Sequence, residues 1–385
     1  MDRILIIALN ENWSGISRLP GGLSRQGLKV FALCPENSFI AKTKFLTDAI
    51  RYKTFTYSRS KLIYLRIIHA IIHFKPEFII PGDEDTILAL QNVARLIKPL
   101  PFFQNVYKTI RKSLAAEAYD HLVLSKSDLQ EKCVEWGVRT PKNKIVKNAN
   151  EAKKIATELG YPVVIKHDSG YGGSGVVICD NQAELVEHFQ KIENVGFIEK
   201  IKAHIKDMLF VSILRPNGVI SIQQFIKGQI GQAPFCAFNG EVIALNPMQR
   251  VHTYPGKTGP SSVSKGIEDR DIENFVKIIA KNLNYNGFGS VEYMISDDNQ
   301  LLHVIELNPR PTPTCHMQSN HVTNDLCEAF AAGLNHKAYT PKKFWPFTVA
   351  MFPGEKKRDP NSPYLTNSYH DIPVDDPELL KALDR

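Results

Sequence analysis

Two stretches carry residues whose types and spacing suit chemistry. The first runs from Pro162 to Cys179. An apolar run, Val163 to Ile165, ends in Lys166; a glycine-rich loop follows from Ser169 to Gly175, and then a second apolar run, Val176 to Cys179. Gly170, Gly172 and Gly175 match G-x-G-x-x-G, but that fingerprint needs a helix after it so that a pyrophosphate meets a helix N-terminus. Val-Val-Ile-Cys follows instead, β-branched and too short for a helix. The loop therefore reads as the tip of a β-hairpin, with Lys166 and free backbone N–H groups facing an anion, an arrangement that suits phosphate. A plain turn is the bland alternative. The second stretch is Leu301 to Pro311. Residues two apart on a strand share a face, so Glu306 and Asn308 point the same way. Arg310 continues that face only if the strand persists beyond Pro309. Glu292 lies where a cross-strand neighbour of Glu306 would fall. Two carboxylates and an amide oxygen on one sheet face form a hard, oxygen-only site suited to Mg²⁺ shared with phosphates. Read alone, Glu-x-Asn on a strand is more often a solvated edge.

The elements that must position these residues follow from periodicity. Residues 1 to about 113 alternate in the α/β manner: strands at Arg3–Leu9, Leu28–Leu33 and Phe78–Ile80, with helices at Lys61–Phe74 and Ile87–Leu96. Such alternation implies a small parallel sheet with ligands at the strand C-terminal ends, where Asn10–Ser14 and Gly82–Asp85 fall. Asp83-Glu-Asp85 reads either as acids complementing a helix dipole or as substrate contacts. From Ala115 the pattern is α+β with antiparallel sheets. Ser127 or Asp128 is expected to cap a helix over Leu129–Trp136. Asn150–Leu159 is a helix stopped by Gly160, and Gln182–Gln190 is another. Strands are expected at Lys144–Lys147, Phe197–Glu199, Met208–Leu214, Val219–Ile226, Gln232–Phe238, Val242–Leu245, Gly287–Ile295 and Leu301–Leu307, with a helix over Asp271–Leu283. Pro247–Ser262 reads as a loop. Beyond Asn335, proline and charge dominate around one strand-like run, Phe347–Phe352, and a short C-terminal helix.

Composition bounds the reading. The 385 residues are 43% hydrophobic and 23% charged, which leaves room for two or three domains. No stretch approaches about 18 consecutive apolar residues, so no membrane span is expected, and Met1–Leu9 reads as a first strand rather than a signal peptide. The six cysteines are scattered without a C-x-x-C, as reduced thiols in a cytoplasmic protein would be. Net charge is +7 without a dense Lys/Arg run, so no nucleic-acid partner is expected and small anionic substrates are. The histidines lack metal-ligand spacing, with His316 the one to watch because it closely follows the acidic strand. Gly256-Lys-Thr258 is not a P-loop, because position 251 is Val where the first Gly should be.

Taken together, these stretches resemble the ATP-grasp superfamily from about Ser125 to Asn320. The order matches: a Ser-Lys segment before a helix, Gly-Val-x-Thr-Pro, Gly-Tyr-Pro-Val-Val-Ile-Lys with its glycine loop, a Phe-Ile-x-Gly hinge at Phe225–Gly228, and Glu…Glu-x-Asn-Pro-Arg. The resemblance implies a Rossmann-like pre-ATP-grasp domain over 1–114, and a small lobe with a glycine-rich lid over 115–200. A large lobe with the Mg²⁺ site would span 201–335, and a tail packed on the core 336–385. Lys126 and Lys166 would then hold ATP phosphates, and Ser169, Gly172, Gly173 and Ser174 would close over them. The main chain of Gln224 and Ile226, flanking Phe225, would read the adenine edge. Glu292, Glu306 and Asn308 would hold one or two Mg²⁺, or Mn²⁺ in its place. Arg310 would stabilise the transferring phosphoryl group and a substrate anion, and Arg250 or Lys257 would supply a further cation, Arg250 ranking above Lys257. Ile230 stands where a ribose-binding Glu is common, which moves ribose contact to Gln229 or elsewhere, and Ser290 stands where many amide ligases of the family carry an Arg.

The activity implied is ligation: a small carboxylate is activated by ATP as an acyl phosphate and coupled to an amine, or less often a thiol, with ADP and phosphate released. A homodimer is compatible with this reading. A small-molecule kinase of the same fold and a non-catalytic nucleotide-binding subunit are the rivals; a Rossmann oxidoreductase is disfavoured by the strand after Gly175.

Overall fold

The computed structural model describes residues 2–53, 62–167, 175–193, 220–256 and 259–384. Three sheets organise them. The first is four-stranded and parallel, ordered β3-β2-β1-β4, with β1 at Arg3–Ile7, β2 at Lys29–Pro35, β3 at Asp48–Tyr52 and β4 at Phe78–Pro81. Its strands β1, β2 and β4 are mostly apolar and buried, as strands of a parallel sheet covered on both faces must be, while the edge strand β3 is not. The Leu62–Phe74 and Glu84–Ile97 helices pack on it. The sequence reading anticipates this α/β arrangement but omits β3, whose Asp-Ala-Ile-Arg-Tyr lacks an apolar run.

The second sheet is antiparallel, ordered β5-β8-β6-β7: β5 at Asn143–Val146, β6 at Val163–His167, β7 at Val176–Cys179 and β8 at Ile220–Gln224. β6 and β7 pair from Val163↔Cys179 to Lys166↔Val176, the hairpin expected around the glycine loop. The loop tip, with Ser169, Gly172, Gly173 and Ser174, lies outside the described residues, as do Lys257 and the expected Phe197–Glu199 and Met208–Leu214 strands. The Ala149–Leu159 and Gln182–Glu193 helices cover one face, and Gly160 sits at φ +79° just past the first, a left-handed position that favours glycine.

The third sheet has eight strands, ordered β14-β13-β9-β11-β12-β15-β16, with β10 also on β9. Its members are β9 (Gly228–Phe238), β10 (Glu241–Leu245), β11 (Met248–Thr253), β12 (Ser261–Gly266), β13 (Gly287–Ser296), β14 (Leu302–Asn308), β15 (Thr348–Ala350) and β16 (Tyr369–His370). β11 and β12 correct the expected loop over Pro247–Ser262. Met-Gln-Arg-Val-His-Thr is too polar to announce a strand, yet β9 and β12 supply its ladder partners. β9 also begins four residues earlier than expected. A Cβ at Gly231 would lie 2.3 Å from the Tyr293 ring, so glycine is what lets that ring cross β9, and the Tyr293 hydroxyl donates to Met248 O at 2.9 Å.

An aromatic cluster joins the first sheet to the third. Phe78 of β4 meets Phe238 and Phe330 edge-on at 5.6 and 5.3 Å, while Phe288 stacks on Phe330 at 4.9 Å. Each such pair is worth about 0.5–1.5 kcal/mol beyond its buried area. Among the described residues no helix is long and apolar enough to cross a membrane.

Candidate active site

Register brings the acidic residues together. β13 and β14 pair Glu292 with Glu306 and Ser290 with Asn308, so all four lie on one face. Asn308 Nδ2 donates to Glu292 Oε1 at 3.1 Å, leaving its amide oxygen as an acceptor. On the other flank of β13, Glu292 faces Gln232 of β9. Gln232 is buried on the same face, and sequence reading missed it because the alternation becomes visible only once β9 is extended to Gly228. Ser290 is buried and its hydroxyl has no hydrogen-bond partner among the described residues.

Cations meet both acids. Lys126 Nζ lies 2.7 Å from Glu306 Oε2, and Arg250 Nη2 lies 2.8 Å from Glu292 Oε1. Burial opposes ionisation of Glu306, but the charges of Lys126, Lys166 and Arg250 outweigh it and hold the carboxyl below its usual range. Burial likewise works against the Lys126 ammonium, and Glu306, Glu292 and Glu84 together push it above its usual value. Lys166 is buried on β6, opposite Ser221 of β8.

Lys126 owes its place to a helix start one turn earlier than expected. The helix spans Lys126–Glu135, and its cap is Ser125, whose hydroxyl accepts from Asp128 N, rather than Ser127 or Asp128. Lys126 is therefore the first helical residue. One turn on, Gln130 bridges two sheets: its Nε2 donates to Ile305 O at 2.6 Å, and its Oε1 accepts from Gln223 Nε2 at 3.0 Å. A side-chain amide thus ties the strand before the hinge to the strand bearing Glu306. At the hinge itself, Gln224 N donates to Lys142 O at 2.8 Å, so that amide is already engaged; Phe225 and Ile226 follow in the coil between β8 and β9. Gln229 falls on the face of β9 opposite Gln232.

Arg310 leaves the strand. β14 ends at Asn308, and beyond Pro309 the guanidinium turns toward Glu84 and Trp13. Its Nε lies 3.0 Å from Glu84 Oε2, an ion pair without a well-directed hydrogen bond, and its Cζ sits 4.6 Å from the Trp13 ring centroid. Burial weakens the charged form, but Glu84, Asp83 and Glu306 more than compensate, raising the guanidinium above its ordinary value. The two readings of Asp83-Glu-Asp85 are thereby divided. Asp83 caps the Glu84–Ile97 helix, accepting from Thr86 N at 2.8 Å, and also accepts from Leu9 N and Asn10 N at 2.7 and 2.9 Å. Glu84 instead faces the site. A narrow cleft beside the acids is lined by Glu84, Val123, Leu124, Lys126, Leu129 and Asn308. His316 does not join the site: it is buried, with Nε2 3.1 Å from Asp371 Oδ1. Among the described residues no cluster of three or more His, Cys, Asp or Glu is placed to hold a metal. The hard-donor set is two carboxylates plus an amide oxygen.

A parallel first sheet, an antiparallel lobe that includes the β6–β7 hairpin, and a large, mainly antiparallel sheet with paired acids make up the ATP-grasp fold. Residues 125–210 match the family described as carbamoyl-phosphate synthase L chain, ATP binding domain. A carbamoyl-phosphate synthase of Methanobrevibacter smithii is 26% identical over 203 residues, 50% of this chain and 48% of that protein. The 2-oxoglutarate carboxylase small subunit of Hydrogenobacter thermophilus is 31% identical over 170 residues, 43% of this chain and 33% of that one. The chain thus spans about half the length, or less, of the curated relatives it matches. Among solved structures, Campylobacter jejuni biotin carboxylase in a β-γ-ATP complex superposes with a TM-score of 0.65 at 18% identity, covering 89% of this chain and 74% of that one. The biotin carboxylase domain dimer of the Hydrogenobacter enzyme, holding MgADP, ADP and bicarbonate, gives 0.64 at 19% identity, over 89% and 73%. N5-carboxyaminoimidazole synthetase of Staphylococcus aureus with ADP gives 0.63 at 15%, over 90% and 81%.

Proposed function

We propose that this chain is an ATP- and Mg²⁺-dependent ligase that activates a small carboxylate as an acyl phosphate and passes the acyl group to an amine. The observation that supports it most is the cross-strand Glu292–Glu306 pair with Asn308, met by Lys126 and Arg250 on one sheet face. The donor set fits a hard divalent ion, with two carboxylates and an amide oxygen within one pair of strands. When bound there, Mg²⁺ would neutralise charge on the terminal phosphates.

The chain's own residues divide the remaining work. Lys126 and Lys166 bind phosphate oxygens, and Ser169, Gly172, Gly173 and Ser174 cover them. Since Gln224 N–H is engaged, the adenine edge falls to the Gln224 carbonyl, with Phe225 and Ile226 beside it. Arg310, with Arg250 and Lys257, orients the substrate carboxylate. A carboxylate oxygen attacks the γ-phosphorus, the bond to the ADP oxygen breaks, and ADP departs. The amine then attacks the acyl carbon, phosphate leaves with the bonding pair, and the amine proton passes to solvent. Positioning and oriented charge lower the barrier, so no side-chain nucleophile is needed. The small carboxylate to try first is bicarbonate, because the Hydrogenobacter neighbour holds it alongside MgADP.

The test is ADP and phosphate release from MgATP across panels of carboxylates, bicarbonate included, and amines. We expect release that depends on the carboxylate and a drop of at least about 100-fold in Glu306→Ala. Wild-type turnover in that variant would remove the metal assignment, while a stable phosphorylated product without amine dependence would make the chain a kinase.

A further inference from the structure

We infer that Trp13 and Glu84, both from the first domain, are positioning residues for Arg310 and thereby set how the chain holds a small anion. The inference rests on the proposed role of Arg310 as the anion ligand and adds what aims it. Three observations carry it. Glu84 takes the Nε edge of the guanidinium at 3.0 Å, and the Trp13 ring takes one face at 4.6 Å, so the group is held from two directions. An arginine on a proline-flanked segment past a strand end has no such constraint of its own. The Trp13 ring, in turn, occupies space that only a glycine at position 15 leaves open: a Cβ there would come within 2.3 Å of it. Finally, the first-domain loop and helix are locked to each other, since Asp83 caps the helix that begins at Glu84 and also accepts from the amides at Leu9 and Asn10. Asp83 thereby ties the start of the loop that carries Trp13 to the helix that begins at Glu84. An anion that reaches Arg310 meets a guanidinium already oriented, with the rotamer entropy of that side chain lost before binding.

The probe is ¹³C-labelled bicarbonate, with its line broadening titrated against full-length protein in the presence of MgADP. Trp13→Leu and Glu84→Gln should each weaken the apparent Kd about tenfold while leaving the ADP Kd within about twofold. Trp13→Phe, which keeps a ring over the guanidinium, should recover to within about threefold. Gly15→Ala, which displaces the ring without touching Arg310, should behave like Trp13→Leu. A second readout uses the Trp136→Phe/Trp345→Phe protein, in which Trp13 is the remaining one of three tryptophans. Its emission should shift saturably with bicarbonate and not do so in the Arg310→Met background. If bicarbonate binding is abolished by Arg310→Met yet unchanged in Trp13→Leu and Glu84→Gln, the positioning role is wrong and the anion role of Arg310 stands. Loss of ADP affinity in step with bicarbonate would equally overturn it, as a general structural defect. If bicarbonate binds the parent but ignores Arg310→Met, or does not bind the parent at all, the anion role fails and takes this inference with it.

Discussion

Lys126 and Glu306 form an ion pair at 2.7 Å between two groups with separate duties in the proposed reaction, one to phosphate and one to metal. The ammonium sits on a carboxylate oxygen that the proposed divalent ion would also use. Lys126→Met should therefore raise the affinity for Mn²⁺ alone about tenfold, and weaken ADP about 10- to 100-fold through the loss of one charged hydrogen bond worth about 1.5–3 kcal/mol. Calorimetric titration of each ligand separately checks both signs; unchanged Mn²⁺ affinity would show that the pair does not compete with metal. The acids themselves were legible, because a strand's period of two puts Glu306 with Asn308 and a hairpin's register puts Glu292 opposite. Their cationic partners were legible as candidates but not as pairs, since Lys126 and Arg250 lie on other elements. Arg310 shows the limit most clearly. Its chemistry is readable from type, but its turn toward Glu84 and Trp13 depends on long-range packing that local spacing does not describe.

Among the elements, the Lys126–Glu135 helix does the most joining. It presents Lys126 in its first turn and inserts Gln130 between Gln223 and Ile305, so a hinge-side strand and the Glu306 strand share one side-chain amide. Gln130→Leu would leave the buried Gln223 amide and the part-buried Ile305 carbonyl without their partner, at about 1–3 kcal/mol for a buried unsatisfied group and less for the second. We expect a fall of about 2–4 kcal/mol in urea-unfolding stability, with Gln130→Leu/Gln223→Leu losing less than the sum of the single changes. Strict additivity would mean that the two glutamines do not act through one bridge. Sequence reading found this helix and misplaced its start, because Ser125, Ser127 and Asp128 are all competent caps and only the following amides decide among them. It read β11 as a loop for a related reason. Arg250 stands on that strand, and a strand rich in Gln, Arg and His is defined by its ladder partners rather than by apolar alternation.

Across the whole molecule, the C-terminal segment is a working part of the architecture. β15 and β16 extend the large sheet beyond β12, and Asp371, just after β16, is held by His316 and by Arg18 of the first domain. Asp376 accepts from the Thr43 hydroxyl, adding a second tie to that domain. The sequence shows one strand-like run here and little else, since strands of three and two residues are too short for periodicity to register. The anchor of this segment is Glu355, fully buried, which accepts from Ser262 Oγ at 2.8 Å, Ser362 Oγ at 2.5 Å and Arg358 Nε at 2.8 Å. Burial alone would push its carboxyl up, but Arg358 and the two serines prevail and depress it from 4.5 to about 2. A folded-state value below the unfolded one means that the unfolded chain binds the proton more readily. The stabilisation is therefore complete above about pH 4.5 and drains away as pH falls through about 2. A shift of this size corresponds to about 3 kcal/mol at full strength, and to about 1–2 kcal/mol once screening at the partly exposed Arg358 is allowed for. Urea unfolding of the parent and of Glu355→Gln should accordingly differ by that amount at pH 7, and the two curves should converge as pH is lowered from about 5 toward 2.5. A gap that stays constant over that range would mean that the charge on Glu355 is not what holds the C-terminal segment to β12.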